Sequence, residues 1–599
     1  MRHKGKEGRV QSSMIRLLKY MKKQEWVFMF FSLLFIVGQV YLELKIPDYM
    51  AKITRLVEQS VGGMDDILAA GGIMLLCSLG SLLASFVVAG FSARIAANFS
   101  KELRALQFYN IQEFSMTEMR SFSTASLITR STNDITQMQM MIAMGLQVAG
   151  KAPIMAAWAV TKIAGKGWEW TAATGAAVLV LIALSAVLVV FAVPKFRRIQ
   201  GLTDNVSRVT RESLLGLRVV RAYNAERLQT KKFEQANLEL TQNNLSAQRV
   251  MALMYPGMGF IMNVLSLVIY WIGAYLINAA GMDHKIVIFS DMVVFINYAI
   301  QVVMSFMMLS MIFVMLPRAT VAARRVTEVI ETKPSLQDGR RVEGDASKRG
   351  EVEFRMVSFR YPGADEDVLH EVSFTAHAGE TVAFIGATGS GKSTLLNLVP
   401  RFYDVSEGAV LIDGIDVREY SQKDLHSKFG YVSQKAVLFS GSIFSNVAYG
   451  DSGKEALSEE TVKQAVEIAQ GTEFVEALPE QYQHTVARGG TNLSGGQKQR
   501  LAIARAICRK PEIYLFDDSF SALDYRTDRA LRQALKKQTQ GATTLIVAQR
   551  IGTIRHADRI VVLEEGKVVG IGRHEELMKT CSVYQEIALS QLSKEELER

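Results

Sequence analysis

The sequence predicts an α-helical membrane domain with six spans, followed by an α/β domain outside the membrane. Hydrophobic residues make up 49% of the 599 residues and charged residues only 21%, which is below the roughly 25% of soluble domains. Long apolar runs continue to about Pro317. From Arg318 onward, strand-like and helix-like segments alternate between Gly-rich turns. The two halves of the chain are therefore suited to different solvents.

Six apolar runs approach the length of about 20 residues that a helix needs to cross a bilayer. The fourth run carries no charge, and the third is interrupted by Lys151. Buried helices of a soluble protein are the alternative, but six runs of this length are hard to bury in a soluble core. The predicted spans are 26–42, 67–93, 140–163, 171–193, 257–280 and 292–317.

The distribution of basic residues predicts the orientation. The connection between the fourth and fifth spans is long and rich in Lys and Arg, whereas 165–170 and 281–285 are short. Because basic loops stay in the cytoplasm, we expect both termini and the α/β domain on that side. The stretch 14–23 is typical of an amphipathic helix on the membrane surface. The connections 92–137 and 195–250 are helical in pattern and should extend the spans into the cytosol.

A change in composition predicts the domain boundaries. Residues 332–350 are polar and rich in Gly and charge, which is typical of a linker. The chain is therefore divided into a transmembrane domain over 1–331, a linker over 332–350 and the α/β domain over 351–599. Cys77, Cys508 and Cys581 lie in different regions and provide neither a metal-ligand spacing nor a disulfide framework.

The α/β domain contains a phosphate-binding loop of the form G-x-x-x-x-G-K-[ST]. The loop follows the apolar strand 380–385 and opens a helix at 394–399, which is the context that the motif requires. Its backbone N–H groups would surround the phosphates, Lys392 would contact the β- and γ-phosphates, and Ser393 would bind Mg²⁺. The residues predicted to bind ATP here are Gly386, Ala387, Thr388, Gly389, Ser390, Gly391, Lys392, Ser393 and Thr394.

A second apolar strand, 513–516, ends in Asp517 and Asp518. A carboxylate delivered by such a strand beside a phosphate loop is the Mg²⁺ partner expected of a P-loop ATPase. Taken alone, an apolar run that ends in Asp is a plain strand end. Together with the phosphate loop, it predicts that Asp517 is a Mg²⁺ ligand.

Another potential phosphate-binding helix start lies between the loop and that strand. Its serine and glycines would expose backbone N–H groups at a helix N-terminus. One phosphate loop is enough to bind the triphosphate of one nucleotide. The additional helix N-terminus therefore suggests contact with a nucleotide supplied by another subunit. The segment consists of Leu493, Ser494, Gly495, Gly496 and Gln497.

The phosphate loop, the LSGGQ segment and the downstream strand, placed after six spans, resemble the ATP-binding cassette (ABC) exporters of the half-transporter type. The resemblance covers almost the whole chain and implies an exporter-type fold and an ATPase coupled to transport, with ATP and Mg²⁺ as cofactors. It implies that Tyr361 stacks on adenine and that Gln434, in the Q-loop, joins Mg²⁺ to the membrane helices. It also implies that 212–226 is a coupling loop to a cassette, and that the D-loop is Ser521, Ala522, Leu523 and Asp524.

Two positions depart from the family pattern. Asp518 stands where the family has the Glu that orients and deprotonates the attacking water, and a misplacement of about 1 Å can cost about 10²-fold in rate. Gln549 stands where the family has a switch His, and an amide cannot shuttle a proton. We therefore expect a site that binds ATP firmly and hydrolyses it poorly. The intact LSGGQ would complete a competent site on a sister half-transporter with the consensus Glu and His. A heterodimer is thus favoured over a homodimer.

The transported compound is less well defined. Six methionines in the sixth span would suit a surface that accepts many apolar ligands, so amphiphilic, drug-like compounds are the first expectation, with lipids or peptides as alternatives. Lys151 should face a water-lined cavity or a partner carboxylate, or else lie near the cytosolic end of its span. Four polar residues should line the same path or bond between helices: Asn263, Asn297, Tyr298 and Gln301. The methionines are Met292, Met304, Met307, Met308, Met311 and Met315.

Three other classes of protein are alternatives to an exporter. The fused domain order and the long intracellular helices argue against an importer permease joined to its cassette. An ATP-gated channel would show ligand-dependent conductance. The net charge of +9 suggests a nucleic-acid-handling ATPase, but six spans argue against a soluble protein. We therefore expect a lipid bilayer, a sister subunit and a small amphiphile as partners, and no nucleic acid.

Overall fold

The computed structural model describes residues 14–59, 63–164, 167–450 and 457–591. Its internal contacts divide the chain into two compact units. The first contains the described residues of 1–112 and 124–332, and the second those of 113–123 and 333–599. The sequence placed 113–123 in the transmembrane domain, whereas the structure groups this segment with the second unit.

In the part of the chain that the structure describes, six helices are long and apolar enough to cross a membrane. This confirms the predicted number of spans. The helices extend further than the apolar runs, because the apolar stretch is only part of each helix. The candidate spans are Lys23–Val57, Met64–Glu113, Thr124–Ala164, Trp168–Leu215, Glu226–Ala279 and His284–Leu309.

The helices up to residue 331 differ widely in length. The longest, α2 and α10, contain 50 residues each, or about 75 Å at 1.5 Å per residue. A hydrocarbon core is about 30 Å thick, so both helices continue well outside it. In chain order the helices are α1 (Lys23–Gln59), α2 (Met64–Glu113), α3 (Met116–Phe122), α4 (Thr124–Thr129), α5 (Ile135–Ala164), α6 (Trp168–Leu215), α7 (Leu217–Ala222), α8 (Glu226–Ala252), α9 (Met254–Ala279) and α10 (Met282–Glu331). A π-helical turn, Arg130–Asp134, joins α4 to α5.

The outer surface of the first unit is apolar. In α2, only 17% of the most apolar stretch is buried, which leaves Leu75, Leu83 and Phe86 exposed. Water does not favour an apolar surface of this extent, whereas a bilayer does. Inside the unit, Val40 and Phe295 belong to a buried cluster that joins α1 to α10.

The second unit is an α/β domain with short helices around its strands. The strands are β1 (Val352–Phe359), β2 (Leu369–Ala376), β3 (Thr381–Gly386), β4 (Glu407–Ile412), β5 (Ile415–Asp416), β6 (Phe429–Val432), β7 (Gly441–Ser442), β8 (Thr485–Val486), β9 (Ile513–Asp517), β10 (Thr543–Val547), β11 (Arg559–Glu564) and β12 (Lys567–Gly572). The helices are α11 (Lys392–Leu398), α12 (Gln422–Ser427), α13 (Ile443–Val447), α14 (Glu459–Ile468), α15 (Thr472–Glu476), α16 (Gly495–Cys508), α17 (Tyr525–Gln538), α18 (Ile551–Ile554), α19 (His574–Thr580) and α20 (Ser582–Gln591).

Two main sheets build this domain. One has the strand order β12-β11-β3-β10-β9-β6 and is parallel except for β12. The other is antiparallel, in the order β2-β1-β4-β5. Phe374 connects them, because its ring lies 4.7 Å from that of Phe354 in β1 and 5.3 Å from that of Phe384 in β3. The carboxyl ends of β3, β10 and β9 share one edge, which is where ligands bind in open α/β sheets.

The predicted linker lies on the second unit. The backbone N–H of Gly350 donates to Oδ1 of Asp413 (2.7 Å), and Arg341 pairs with Glu419 (2.9 Å). A 3₁₀ turn, Ala346–Lys348, lies between these contacts. From residue 339 onward the polar segment is therefore bound to the α/β domain.

Candidate nucleotide site and membrane cavity

Strand β3 delivers the phosphate loop to the carboxyl edge of the parallel sheet. Three glycines of the loop have positive φ angles: 156° at Gly386, 89° at Gly389 and 94° at Gly391. A Cβ atom at Gly386 would lie 2.0 Å from the carbonyl oxygen of Leu563 in β11. The close approach of β11 therefore requires glycine at position 386.

Lys392 is buried at the start of α11. Its ammonium group donates to the carbonyl oxygens of Gly386 (2.9 Å) and Ala387 (2.7 Å) within the loop. Burial lowers the pKa of Lys392, and the nearby charges of Asp518 and Asp517 oppose that shift. The ammonium group is thus held inside the loop, where a bound phosphate would meet it.

Ser393 and Asp517 form the oxygen pair predicted to bind Mg²⁺. The hydroxyl of Ser393 donates to Oδ1 of Asp517 at 2.7 Å. The register of the parallel strands aligns Asp517 with Val547 and Phe384, so β9 ends level with the start of the loop. Mg²⁺ in nucleotide sites is usually held by one or two hard oxygen ligands together with substrate phosphates. A hydroxyl beside a carboxylate fits that requirement.

Both carboxyl groups at the end of β9 have raised pKa values. Burial is the main cause at Asp517 and at Asp518, and the charge of Asp518 adds to the shift at Asp517. A hydrogen bond from Ser393 lowers the pKa of Asp517, and one from Gln434 lowers that of Asp518. Two buried carboxylates side by side favour a cation between or near them.

Asp518 has a left-handed backbone with φ of 45°, a conformation in which Asp is enriched over most residues. Its backbone N–H donates to the carbonyl oxygen of Val547 at 2.9 Å. Its Oδ2 atom accepts from the amide of Gln434 at 3.4 Å. The structure therefore brings the Q-loop residue to Asp518.

Gln549 lies in the loop that follows β10, and its side chain is exposed. Helix α20 holds this loop through Gln591. The side-chain amide of Gln591 donates to the carbonyl oxygen of Gln549 (2.7 Å), and the backbone N–H of Ile551 donates to Oε1 of Gln591 (2.9 Å). The side-chain amide of Gln591 thus holds the backbone of both Gln549 and Ile551. Sequence analysis missed Gln591, because no local pattern links it to a loop 42 positions earlier.

Tyr361 lies in an aromatic cluster beside the phosphate loop. The rings of Phe359 (4.9 Å) and Tyr403 (5.3 Å) meet it edge-on, and its hydroxyl forms a hydrogen bond of 3.0 Å with that of Thr394. The guanidinium of Arg120, from α3, lies 4.7 Å from the ring centre, a cation–π contact. Sequence analysis did not identify Arg120.

Helix α3 has a capping box at its start. The hydroxyl of Ser115 accepts from the N–H of Thr117 at 3.1 Å, and Glu118 accepts from the backbone N–H of Ser115 at 2.9 Å. Ser115 also forms a hydrogen bond of 3.0 Å with Ser335. Burial would raise the pKa of Glu118, but hydrogen bonds from Ser115 and Ser335 outweigh it and lower that pKa. These contacts, together with Arg120, explain why 113–123 belongs to the second unit.

The LSGGQ segment forms the N-terminus of α16. The hydroxyl of Ser494 accepts from the N–H of Gln497 (3.2 Å), and the side chain of Gln497 accepts from the N–H of Ser494 (2.8 Å). Leu493 is buried, whereas Ser494 and Gly495 are exposed. Gly496 packs near the D-loop, since a Cβ atom there would lie 3.5 Å from the carbonyl oxygen of Ala522. The helix start is therefore accessible to solvent.

The D-loop connects β9 to α17. The hydroxyl of Ser521 donates to the carbonyl oxygen of Asp518 at 3.0 Å, and Leu523 is buried. Asp524 caps α17 by accepting from the N–H of Thr527 at 3.0 Å. The D-loop thus runs from Asp518 to exposed residues that lie beside the LSGGQ segment.

The first unit contains a cavity of about 350 Å³. Lys151 lines the cavity, and its ammonium group lies 2.8 Å from Glu43, so the residue has both the cavity and the carboxylate expected for it. Asn297 and Gln301 line the same cavity. Tyr298 is instead fully buried and bonds between helices, with its hydroxyl 3.0 Å from the carbonyl oxygen of Leu44.

The methionines of the sixth span lie in different surroundings. Met304 and Met308 line the cavity. Met292 is buried in the helical core, and Met307 packs against that core. Asn263, one of the polar residues considered for the path, is exposed. The side chains of Met311 and Met315 lie outside the described residues.

Comparison with known families matches both halves of the chain. The model "ABC transporter transmembrane region" matches residues 29–314, and the model "ABC transporter" matches residues 369–521. An uncharacterized ABC transporter ATP-binding protein of Mycobacterium tuberculosis is 39% identical over 527 residues, which is 88% of each chain. The chain belongs to the ABC transporters.

Two further relatives and one solved structure also match most of the length of this ABC transporter. The uncharacterized ABC transporter ATP-binding protein YfiB of Bacillus subtilis is 35% identical over 572 residues, covering 94% of this chain and 96% of YfiB. An ATP-dependent lipid A-core flippase of Aromatoleum aromaticum is 32% identical over 509 residues, covering 84% and 82% of the two chains. A solved structure of a bacterial Atm1-family ABC exporter with ATP bound has the same fold, with a TM-score of 0.80, 24% identity and coverage of 96% and 100%.

The family establishes the general activity of the chain. It is an ABC exporter half-transporter: a transmembrane domain of six spans followed by an ABC domain that hydrolyses ATP, with Mg²⁺ as the usual cofactor, to drive transport. It is a multi-pass membrane protein with its ABC domain in the cytoplasm.

Proposed function

We propose that this ABC transporter exports amphiphilic compounds as one half of a heterodimer, and that its own nucleotide site binds ATP but hydrolyses it slowly. The composition of the site is the observation that carries the proposal. Lys392, Ser393 and Asp517 are the groups that binding requires, and they lie together around the phosphate loop. Asp518 and Gln549 replace the two groups that act on the attacking water.

Slow hydrolysis follows from the chemistry of those two side chains. The carboxylate of Asp518 is one methylene shorter than that of Glu, and a misplacement of about 1 Å can cost about 10²-fold in rate. The amide of Gln549 can form hydrogen bonds but cannot carry a proton. Bound Mg²⁺ would neutralise charge on the phosphates, which supports binding whether or not water is activated.

A sister subunit would give the LSGGQ segment a function. The exposed start of α16 would complete the site on the sister's phosphate loop. A homodimer would place two intact LSGGQ segments on two slow sites. A sister half-transporter with the consensus Glu and His would use the segment fully. The homodimer remains the alternative.

Transport would then follow an asymmetric cycle. ATP would bring the two ABC domains together head to tail, and hydrolysis at the sister's site would separate them. Coupling segments, among them α7 within 212–226, would pass this closure to the spans and alternate the access of the cavity. ATP retained by this chain would keep the two domains in contact between cycles. Both termini are proposed to be cytoplasmic, because the number of candidate spans is even.

The membrane cavity suits an amphiphile. Met304 and Met308 supply flexible apolar surface, while Lys151 and Asn297 supply polar contacts. A drug-like compound is the first candidate substrate. A lipid is the second, and the relative described as an ATP-dependent lipid A-core flippase favours it.

The pairing can be tested by purifying the chain alone and together with the product of an adjacent transporter gene. Alone, the chain should bind ATP and release little phosphate, whereas the pair should release phosphate rapidly. Lys392→Ala in this chain should remove nucleotide from its own site and serve as the control for occupancy. Equal release rates per site in the two preparations would contradict the proposal.

A further inference from the structure

Among the described residues, three ion pairs connect one candidate span to another. They are Glu43 with Lys151 (2.8 Å), Asp48 with Lys162 (2.7 Å) and Arg55 with Asp291 (3.1 Å). Charged side chains in spans are costly unless they are paired or face a water-filled cavity. Of these three pairs, only Glu43 and Lys151 are among the described residues that line the cavity of about 350 Å³. This pair is therefore the one placed to meet a ligand.

Glu43 retains capacity to accept further hydrogen bonds. Lys151 (2.8 Å), Gln39 (2.9 Å) and Ser81 (3.1 Å) all donate to its Oε1 atom. Among the described contacts, none falls on Oε2. Gln301 lines the same cavity, and its buried amide oxygen has no hydrogen-bond partner in the described part of the chain. Buried acceptors of this kind usually find a donor.

We propose that this cavity is the headgroup site for a zwitterionic amphiphile. The ligand's ammonium group would lie against Glu43, and its phosphate or carboxylate group would lie against Lys151. The inference rests on the proposed export of amphiphiles and narrows the class of compound.

Charge balance is the physical reason for this choice. A zwitterion that separates Glu43 from Lys151 pairs each of them again, so no charge is left alone. A purely cationic ligand would either displace Lys151 and leave it unpaired or bind Oε2 and place two positive charges around one carboxylate. A purely anionic ligand would do the reverse at Lys151. The side chains of Lys151 and Glu43 are 25% and 23% exposed, so the pair is largely removed from water and leaving either charge without its opposite is costly. The site therefore favours ligands that carry both a positive and a negative charge over ligands that carry only one.

The dimensions also suit a headgroup with an apolar chain. The cavity lies near the lower end of the range of about 300 to 1,000 Å³ for ligand sites, which is enough for a polar group. Met155, Met304 and Met308 provide apolar lining next to the ion pair.

The Asp48–Lys162 pair provides a matched control. The hydroxyl of Tyr298 lies 2.5 Å from Oδ1 of Asp48, and Tyr298 is fully buried. This pair therefore joins helices without lining the cavity. Its loss would disturb packing but should not change which headgroup charge is preferred.

The experiment uses the complete transporter with its sister subunit in nanodiscs and three probes that share a dodecyl chain. The probes are dodecylphosphoethanolamine, dodecyl phosphate and dodecylammonium. The cationic group of the first and the third is a primary ammonium, which can donate hydrogen bonds. Binding is followed by tryptophan fluorescence, and ATP-dependent uptake is measured in inverted vesicles. The wild-type protein should bind the zwitterion at concentrations about tenfold or more below those of the two ions.

Each variant should change this order in a specific way. Glu43→Gln leaves Lys151 without its carboxylate, so dodecyl phosphate should become the preferred probe. Lys151→Gln should make dodecylammonium the preferred probe. The exchange of both charges (Glu43→Lys with Lys151→Glu) should restore the preference for the zwitterion. Asp48→Asn and Lys162→Gln should leave the wild-type order unchanged.

An order of the three probes that is the same in all variants would overturn the inference, as would a change produced equally by Asp48→Asn. That result is distinct from failure of the proposed function. If export itself is wrong, no probe enters wild-type vesicles in an ATP-dependent manner, while the fluorescence measurement still reports on the binding order.

Discussion

The side-chain amide of Gln434 donates to the Oδ2 atom of Asp518 across 3.4 Å. That distance is longer than the 2.7–3.2 Å typical of N–H···O hydrogen bonds, so the contact is weak. It nevertheless places the Q-loop beside the carboxylate that is proposed to act poorly on the attacking water. The rate of ATP hydrolysis at this site should therefore change with the length of the side chain at position 518.

Restoring the two consensus groups should raise hydrolysis at this site. In Asp518→Glu with Gln549→His, the longer carboxylate reaches the water and the imidazole can shuttle a proton, so turnover should rise by about tenfold or more. Phosphate release should be measured in a complex whose sister site is inactivated.

Asp518→Asn, which keeps the length of the side chain but removes its charge, is the matched control and should give no gain. An unchanged rate in the double variant would show that the weakness lies elsewhere, with the sister's LSGGQ segment as the next candidate.

The loop that follows β10, residues 548–550, is called the switch loop. Removing its contact with α20 should increase its mobility. Gln591→Ala loses the hydrogen bonds to Gln549 and Ile551, each with a net value of about 0.5–1.5 kcal/mol. Amide hydrogen exchange in 549–552 should accelerate by about tenfold. Ser590→Ala, which among the described contacts loses a hydrogen bond within its own helix to Ile587 at 2.8 Å, should leave exchange unchanged. Equal exchange in both variants would exclude a positioning role for Gln591.

The contact between Arg120 and Tyr361 should contribute to coupling between substrate and ATPase activity. Arg120→Ala removes a cation–π contact of about 0.5–1 kcal/mol and should reduce the stimulation of ATPase by amphiphiles while basal activity persists. Arg120→Lys keeps the charge without the planar guanidinium and should have a smaller effect. Full stimulation in Arg120→Ala would show that the contact does not transmit substrate binding.

The phosphate loop should not tolerate a side chain at position 386. Gly386→Ala places a Cβ atom against the carbonyl oxygen of Leu563, so it should destabilise the ABC domain by about 1–3 kcal/mol and weaken ATP binding. Gly552→Ala is the control, because in the described structure no heavy atom beyond its chain neighbours and its own helix backbone lies within 4 Å of the added Cβ. Thermal unfolding with and without ATP should separate the two variants. An unaltered melting temperature in Gly386→Ala would contradict the geometry.

Local motifs allowed much of the fold to be predicted. Apolar runs of membrane length gave six spans, because crossing hydrocarbon fixes the length of a helix. The phosphate loop lies between β3 and α11 as expected, since its glycines and lysine act within a few residues of one another.

Long-range contacts could not be predicted in the same way. Glu43, the partner of Lys151, is 108 positions away, and only the packing of α1 against α5 brings the two together. The same holds for Arg120 over Tyr361 and for Gln591 on the switch loop. Sequence spacing does not encode such contacts, because they depend on the register between separate elements.

The most direct test of slow hydrolysis at this chain's own site is to identify the nucleotide that the chain retains after turnover. The complete transporter would be supplied with labelled photoreactive ATP, allowed to turn over, washed and cross-linked, and the nucleotide on each subunit would be identified. Intact ATP is expected on this chain and ADP on its sister. ADP formed on this chain at the sister's rate would contradict this expectation.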